Sequence, residues 1–546
     1  MSSLAATEKR PLKDDLNALF QSPRELWIIY FAKFLEMLAM FLLLYTVTLW
    51  LSRDLGLSDV EAGSMVGIYS LALSVITFFI GFFADSWGFR ETLIVAFAVS
   101  TVARGTMAFA QSRWLGIASL MLLTIGTAGG APVMNTAIRR YTKVQTRAFA
   151  FSLYYVTFNV SAAVAGVLID VSKAALPAPK AMAIPVLGML QMSQYRLTYV
   201  VGFACALISF LISLSLRKGI DLEKDPDGFA PGTRVASGFM WFMFMVAGMV
   251  VVQLSSTLLA VTPFKFELTN TILWRSAVVC AALSTLGVWA LHRSGLFLPH
   301  KSTAAEAAED GSAAAPAPLV EAEKTSNPLK VAFGVMRERS FWRFMLFVGL
   351  LVFVKLIFSH SHFTFPKYSL REMGEAFPLG AFQAINPILI IVLVPIATAM
   401  TRHRSAFSII VLGSIVSALS PFVLVLGASY ATILGMIVLL SIGECLWSPR
   451  LYEYTASIAP RGREASYMGM SSLPMFFAKM AVGPMSGFLL AKYCPPTGAR
   501  QSWIMWLIIG LTTLVGPILI VLLRPVIEGR SRRPAEEPPP AAAPAE

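Results

Sequence analysis

Gly81-Phe82-Phe83-Ala84-Asp85-Ser86-Trp87-Gly88-Phe89-Arg90 is a short charged turn between two long apolar runs, near 60–83 and 92–110. Each run is about 20 residues, enough for a helix to cross roughly 30 Å of hydrocarbon. Gly81 lets helices approach closely, and Gly88 permits a sharp reversal that a Cβ would hinder. Asp85 can accept from N–H groups at a helix N-terminus or pair with an arginine. The stretch predicts two membrane spans joined by a tight polar turn. Gly81, Asp85, Gly88 and Arg90 are candidate gating residues, making bonds in one state of the protein that break in another.

Outward from this turn the same pattern recurs along the chain, giving about fourteen apolar runs of spanning length. Of the 546 residues 56% are hydrophobic and 14% charged, against about 25% charged in soluble domains. Such a chain cannot coat two to four soluble domains with polar surface. A transmembrane β-barrel is excluded too, because its strands would show about ten-residue alternation. The predicted fold is therefore an all-α membrane protein of two six-helix bundles with a two-helix insert. Its parts are a cytoplasmic segment (1–25), a first bundle (26–216), the insert (217–294), an Ala/Pro-rich linker (295–340), a second bundle (341–524) and a tail (525–546). The linker (TAAEAAEDGSAAAPAP over 303–318) and tail lack the apolar content of a packed element and are expected to be disordered. Residues 1–24 are polar and charged, unlike a signal peptide.

Lys plus Arg is 44 and Asp plus Glu 31, a net charge of +13. The excess lies in short loops: Arg139, Arg140, Lys143 and Arg147; Arg217 and Lys218; Arg402 and Arg404; Arg461 and Arg463. Cation-rich short loops face the cytoplasm. With an even number of spans, both termini are expected inside, and the inner cell membrane is the expected location. No aromatic-interleaved basic stretch suggests nucleic acid. Cys205, Cys280, Cys445 and Cys494 form no CxxC pair, so no disulfide framework or metal site is expected. No phosphate-cradling GxxxxGK[ST] appears, which argues against ATP-driven pumping, and no catalytic or cofactor-binding constellation suggests an enzyme. Six plus six spans suggest a transporter with a site near the midplane.

The turn at 81–90 resembles the signature of the major facilitator superfamily, G-x-x-x-D-x-x-G-x-[RK]. Further stretches resemble the proton-coupled oligopeptide transporter (POT/PTR) family: Gln383-Ala-Ile-Asn386-Pro387, Gly443-Glu444-Cys-Leu-Trp-Ser448-Pro449, and Phe149-Ala-Phe-Ser-Leu-Tyr154-Tyr155-Val-Thr-Phe-Asn159. The resemblance implies that Asn159, Asn386 and Glu444 line a central cavity, Glu444 receiving a substrate amine and the two asparagines binding peptide backbone. Tyr155 joins them as a candidate ligand. The family's first-span E-x-x-E-R is here Lys33-Phe-Leu-Glu36-Met37, and its span-four lysine falls at Ala131.

Intramembrane charges cost several kcal/mol each and usually pair or face a cavity. Lys33, Glu36, Arg104, Lys355, Glu444 and Lys479 fall inside predicted spans. Lys33 and Glu36, three residues apart, share a helix face and are expected to pair as a proton-coupling unit. Lys355 is a candidate substrate ligand, and a bridge from Glu444 to either Lys355 or Lys479 is expected as a gate element. His360 is a candidate proton carrier; the same residue also fits the polar end of a span. Cations outnumber acids in this set, which favours an anionic or zwitterionic cargo. The expected function is proton-coupled symport of a small peptide, or another carboxylate-bearing solute, by a monomer in the lipid bilayer. An exporter or antiporter of another organic anion or drug-like solute remains open, as does a non-transporting receptor or scaffold.

Overall fold

The computed structural model describes residues 12–143, 146–184, 188–218, 222, 229–261, 270–294, 339–401, 403–458 and 473–527. Nearly all of the predicted linker, and the tail from residue 528, lie outside the described residues. The first bundle comprises α2 (Arg24–Arg53), α3 (Asp59–Trp87), α4 (Phe89–Phe109), α5 (Arg113–Arg140), α6 (Arg147–Ala175) and α7 (Gln194–Ser213), preceded by short α1 (Leu12–Phe20). The insert is α8 (Thr233–Val261) and α9 (Asn270–Arg293). The second bundle comprises α10 (Arg339–Phe363), α12 (Leu379–Thr401), α13 (Ala406–Val423), α14 (Tyr430–Ile458), α15 (Leu473–Tyr493) and α16 (Ser502–Leu522). Short α11 (Phe365–Met373) follows α10, and α17 (Arg524–Ile527) follows α16. Thirteen helices among the described residues are long and apolar enough to cross a membrane. The 21-residue α15, which carries Lys479 and Lys492, completes the expected fourteen long helices.

One element departs from helix. Between α6 and α7, β1 (Lys180–Ile184) pairs antiparallel with β2 (Gly188–Met192), Lys180 opposite Met192. Leu190 and Met192 are buried, while most other described residues of the two strands are exposed. Two five-residue strands are too short to stand out against the long apolar runs around them. This hairpin marks one end of the molecule, here called the hairpin end. The opposite end, here called the terminal end, carries the first and last described helices, Leu12–Phe20 and Arg524–Ile527.

Local chemistry sets several helix boundaries. Ser112, Ser193 and Ser405 cap α5, α7 and α13, their side chains accepting from the N–H groups of Leu115, Arg196 and Ser408. Gly88 sits between α3 and α4 with φ +95°, the reversal expected of the 81–90 turn. Arg90 donates to the carbonyls of Leu216 (2.6 Å) and Leu214 (3.2 Å), satisfying acceptors at the end of α7. The side chain of Asp85, and its expected bond, lie outside what is described.

Helix α2 is buried along most of its length at the centre of the first bundle. The insert docks on it through aromatic rings: Phe239 of α8 lies 5.8 Å from Trp27, 5.5 Å from Tyr30 and 5.1 Å from Phe31, centroid to centroid. The two bundles meet along seams of small residues. Gly63 and Gly67 of α3 oppose Gly483 and Gly487 of α15, and Gly166 of α6 opposes Gly380 of α12. A Cβ at Gly166 would overlap the Gly380 carbonyl oxygen, so only glycine permits this approach. Both seams lie in the hairpin-end half. Gly166→Leu should prevent that closure and, as overpacking, lower stability by about 1–3 kcal/mol, read as a lower thermal midpoint of the purified protein.

Candidate functional site

Where the bundles touch at the hairpin end, charge reinforces the glycine seams. Asp59, at the start of α3, accepts two bonds from Arg371 (2.8 and 2.9 Å) and one from Lys367 Nζ (2.8 Å), both cations lying on α11 of the other bundle. Lys367 also donates to Ser52. Arg53 at the end of α2 forms a two-pronged pair with Glu375 at 2.8 and 2.5 Å. The Asp170 carboxylate of α6 accepts from the backbone N–H groups of Gly380 (2.9 Å) and Ala381 (2.7 Å), capping α12 across the seam. Lys173 donates to the Phe377 carbonyl at 3.0 Å. These hydrogen bonds and ion pairs join the two bundles at the hairpin end. A cavity of ≈ 620 Å³, lined in part by Arg53, Asp59, Lys367, Arg371, Glu375 and Arg500, sits above the seal.

Toward the terminal end the side chains of α6 become more exposed. Tyr155 lies about three turns before Gly166 on the same stripe of α6, yet it is 38% exposed. Asn159 lies between them on that stripe, buried, its Nδ2 donating to the Tyr155 carbonyl at 3.0 Å.

In the second bundle the motif residues assemble. Asn386 Nδ2 donates to Glu444 Oε2 (3.1 Å) and to Ser441 (3.0 Å), joining α12 to α14. Gln383 donates to the Ser361 carbonyl at 2.8 Å, joining α12 to α10. Trp447 is held by its indole N–H on Ser417 (3.2 Å), and Lys355 Nζ stands 4.2 Å above its ring. The His362 ring stacks on Tyr45 of α2, 5.5 Å between centroids. These contacts thus tie side chains of α2, α10, α12, α13 and α14 into a ring.

Three pairings differ from expectation. Glu36 pairs with Arg104 of α4 at 2.8 Å rather than with Lys33. Lys33 instead lies 4.0 Å over the Tyr154 ring, with Phe158 at 5.6 Å. The reason is geometric: the Glu36 carboxylate points toward α4, whereas the lysine stem extends along α6 and finds an aromatic face. Second, Glu444 makes no ion pair with Lys355 or Lys479 among the described residues; Asn386 holds it instead. Third, His360 is not a solvated span end. His360 is fully buried; its Nδ1 contacts Thr364 Oγ1 (2.7 Å), which donates to Ser486 (2.8 Å). The sequence reading did not single out the seal of Asp59, Lys367, Arg371, Arg53 and Glu375. Its one signal was a loop at 52–61 poor in cations and rich in acids.

A membrane protein of two six-helix bundles, sealed at one end around central charged groups, has the major facilitator fold. Residues 29–260 match the family model of the Major Facilitator Superfamily. That is a class of membrane transporters rather than enzymes. More particularly, the chain is distantly similar to POT transporters. It resembles a POT family transporter solved with 5-aminolevulinic acid (TM-score 0.62, 13% identity, 92% of this chain and 97% of that one). It also resembles a POT family transporter solved with a thioalcohol conjugated peptide (0.61, 14%, 94% and 99%) and a peptide transporter POT solved with sulfate (0.59, 16%, 94% and 98%). No curated protein matches the chain.

Two outcomes follow from the ion pairs. The Glu36–Arg104 pair is almost fully buried, so Glu36→Gln or Arg104→Met alone should cost about 3–5 kcal/mol by leaving one charge unpaired. The double variant should recover part of that loss in a thermal melt. At the seal, the Arg53 bond holds Glu375 below the usual carboxylate range. A carboxylate lowered in the sealed state stabilises the seal above its ordinary pKa of about 4.3 and loses that effect as pH falls through the lowered value. Glu375 is well exposed, so the effect should stay under about 1 kcal/mol. Spin labels on Val171→Cys and Leu426→Cys, both exposed at the hairpin end, should separate slightly more often below that range than at neutral pH.

Proposed function

We propose that the chain is a secondary active transporter that moves a small carboxylate-bearing solute by alternating access, driven by protons. The supporting observation is the asymmetry of the bundle contacts. Ion pairs, a cross-bundle helix cap and glycine seams close the hairpin end, while the inter-bundle stripe opens at Tyr155 toward the terminal end. On the cation-rich loop argument the terminal end is cytoplasmic, so the arrangement corresponds to an inward-facing state. Rocking the bundles about the central ring would break Asp59–Arg371, Asp59–Lys367, Arg53–Glu375 and the Asp170 cap, opening the outer side.

Cargo chemistry is read from the second bundle's polar groups and from the α6 stripe. Lys355 and Lys479 offer ammonium groups to a carboxylate, while Asn386, Asn159 and Tyr155 offer neutral polar and aromatic contacts. The POT neighbours solved with 5-aminolevulinic acid and with a conjugated peptide bind small solutes with such groups. Protons suit the role of driving ion because Glu444 and His362 are titratable groups beside the cargo position. One charge crossing 100 mV releases about 2.3 kcal/mol, enough for about fifty-fold accumulation.

Asp59→Asn tests the gate. Removing the carboxylate leaves Lys367 and Arg371 buried without their partner, a cost of about 3–5 kcal/mol to the sealed state. That is enough to shift a two-state population by about a hundredfold or more. In lipid vesicles, labels on Val171→Cys and Leu426→Cys should then report a longer distance as the major population. An unchanged distance would remove the seal from the transport cycle.

A further inference from the structure

The ≈ 620 Å³ cavity above the seal is walled by both bundles. The first contributes Arg53 and Asp59, from the end of α2 and the start of α3. The second contributes Lys367 and Arg371 of α11, then Glu375 and Arg500. Four cations therefore face two carboxylates. Both acids are already engaged, Asp59 by Lys367 and Arg371, Glu375 by Arg53. Arg500 is held differently. Its Nε donates to the Pro495 carbonyl (3.0 Å), Nη2 to that of Pro496 (3.1 Å) and Nη1 to that of Arg371. Carbonyls fix a guanidinium in place without neutralising it, and among the described residues Arg500 has no ion pair. Lys367, 3% exposed, gives two of its three N–H groups to Ser52 and Asp59. The lining thus keeps a positive excess on side chains that are already positioned.

The remaining walls include apolar ones. Leu49, Leu57 and Leu370 line the same space, each of them buried. The volume falls within the range of about 300–1,000 Å³ usual for small-molecule sites, and apolar walls with a few convergent polar groups are their usual composition. A lone inorganic ion would leave the leucines and most of the space unused. We propose that this cavity is an anion site, separate from the central cargo position, for a small organic carboxylate. Its charge lies among Arg53, Lys367, Arg371 and Arg500, and its apolar body rests on the leucines. Because the walls come from both bundles, the site is complete only while the hairpin end is sealed. An occupant therefore favours the sealed state by mass action and slows the opening of that side. Glu375 competes with the ligand for Arg53 and so lowers its affinity.

The test uses the purified full-length protein and three probes: benzoate, its neutral counterpart benzamide, and inorganic phosphate. In calorimetry, benzoate should bind about tenfold or more tightly than benzamide, as expected for a charge-assisted contact, and more tightly than phosphate. Arg500→Gln should weaken benzoate binding by about tenfold, whereas Arg500→Lys should keep most of it. Glu375→Gln should strengthen it several-fold, a gain that mere structural damage would not produce. Ligand-free melts verify that each variant folds. Spin labels on Val171→Cys and Leu426→Cys should report a larger short-distance population with benzoate. In Asp59→Asn, benzoate supplies the missing carboxylate to Lys367 and Arg371 and should return the labels toward the short distance. The anion site is refuted by no benzoate binding, by benzamide or phosphate binding as tightly, by an affinity unchanged in both Arg500→Gln and Glu375→Gln, by equal losses in Arg500→Lys and Arg500→Gln, or by benzoate lengthening the label distance. A distance that Asp59→Asn leaves unmoved would overturn the transport reading alone, because calorimetry still decides the anion site.

Discussion

An ionised side chain surrounded by hydrocarbon or packed protein is stable only when another group supplies opposite charge or hydrogen bonds. Much of this molecule's organisation can be traced to how that demand is met. Glu36 and Arg104 meet it inside one bundle. Asp59 with Lys367 and Arg371 meets it between bundles. Asp170 meets it with the backbone donors of a helix start. At the centre the demand is met for Glu444 by an amide and for Lys355 by the face of the Trp447 ring.

These solutions differ in what they make possible. A pair within one bundle moves with that bundle and contributes to its rigidity. A pair between bundles exists only while the bundles are closed, so it sets the relative energy of two states. The glycine seams belong with the second kind. They let the backbones approach closely enough for Asp170 to reach the α12 N-terminus and for α11 to lay two cations on Asp59. The insert attaches through aromatic packing of Phe239 on Trp27, Tyr30 and Phe31, a contact without charge that need not change when the bundles move.

Motif residues read from sequence came together unevenly. Asn386 and Glu444 are bonded, and Gln383 ties their helix to a third, so the Q-x-x-N-P and G-E stretches form one unit. Gly88 makes the expected reversal, and Arg90 finds helix-end carbonyls. Lys33 and Glu36 did not pair, because two residues on one helix face compete with partners from other helices. Arg104, some seventy residues away in sequence, outbid the neighbour on the same face. The seal at the hairpin end was not legible, since its members come from short segments between spans whose mutual positions depend on how the bundles meet.

Hydropathy and residue order by themselves determined that the chain spans a membrane as two sets of six helices with a two-helix insert. They did so because a helix crossing hydrocarbon must be apolar for about 20 residues, a constraint written locally. The sequence also determined which charges are forced into the interior. Only the tertiary structure decided which of those charges meet, which end of the bundles is closed, and which charged groups rest on amide or aromatic partners instead. Electrostatic and hydrogen-bond partners are chosen across a few ångströms of space, and residues that close can lie hundreds of positions apart in the chain.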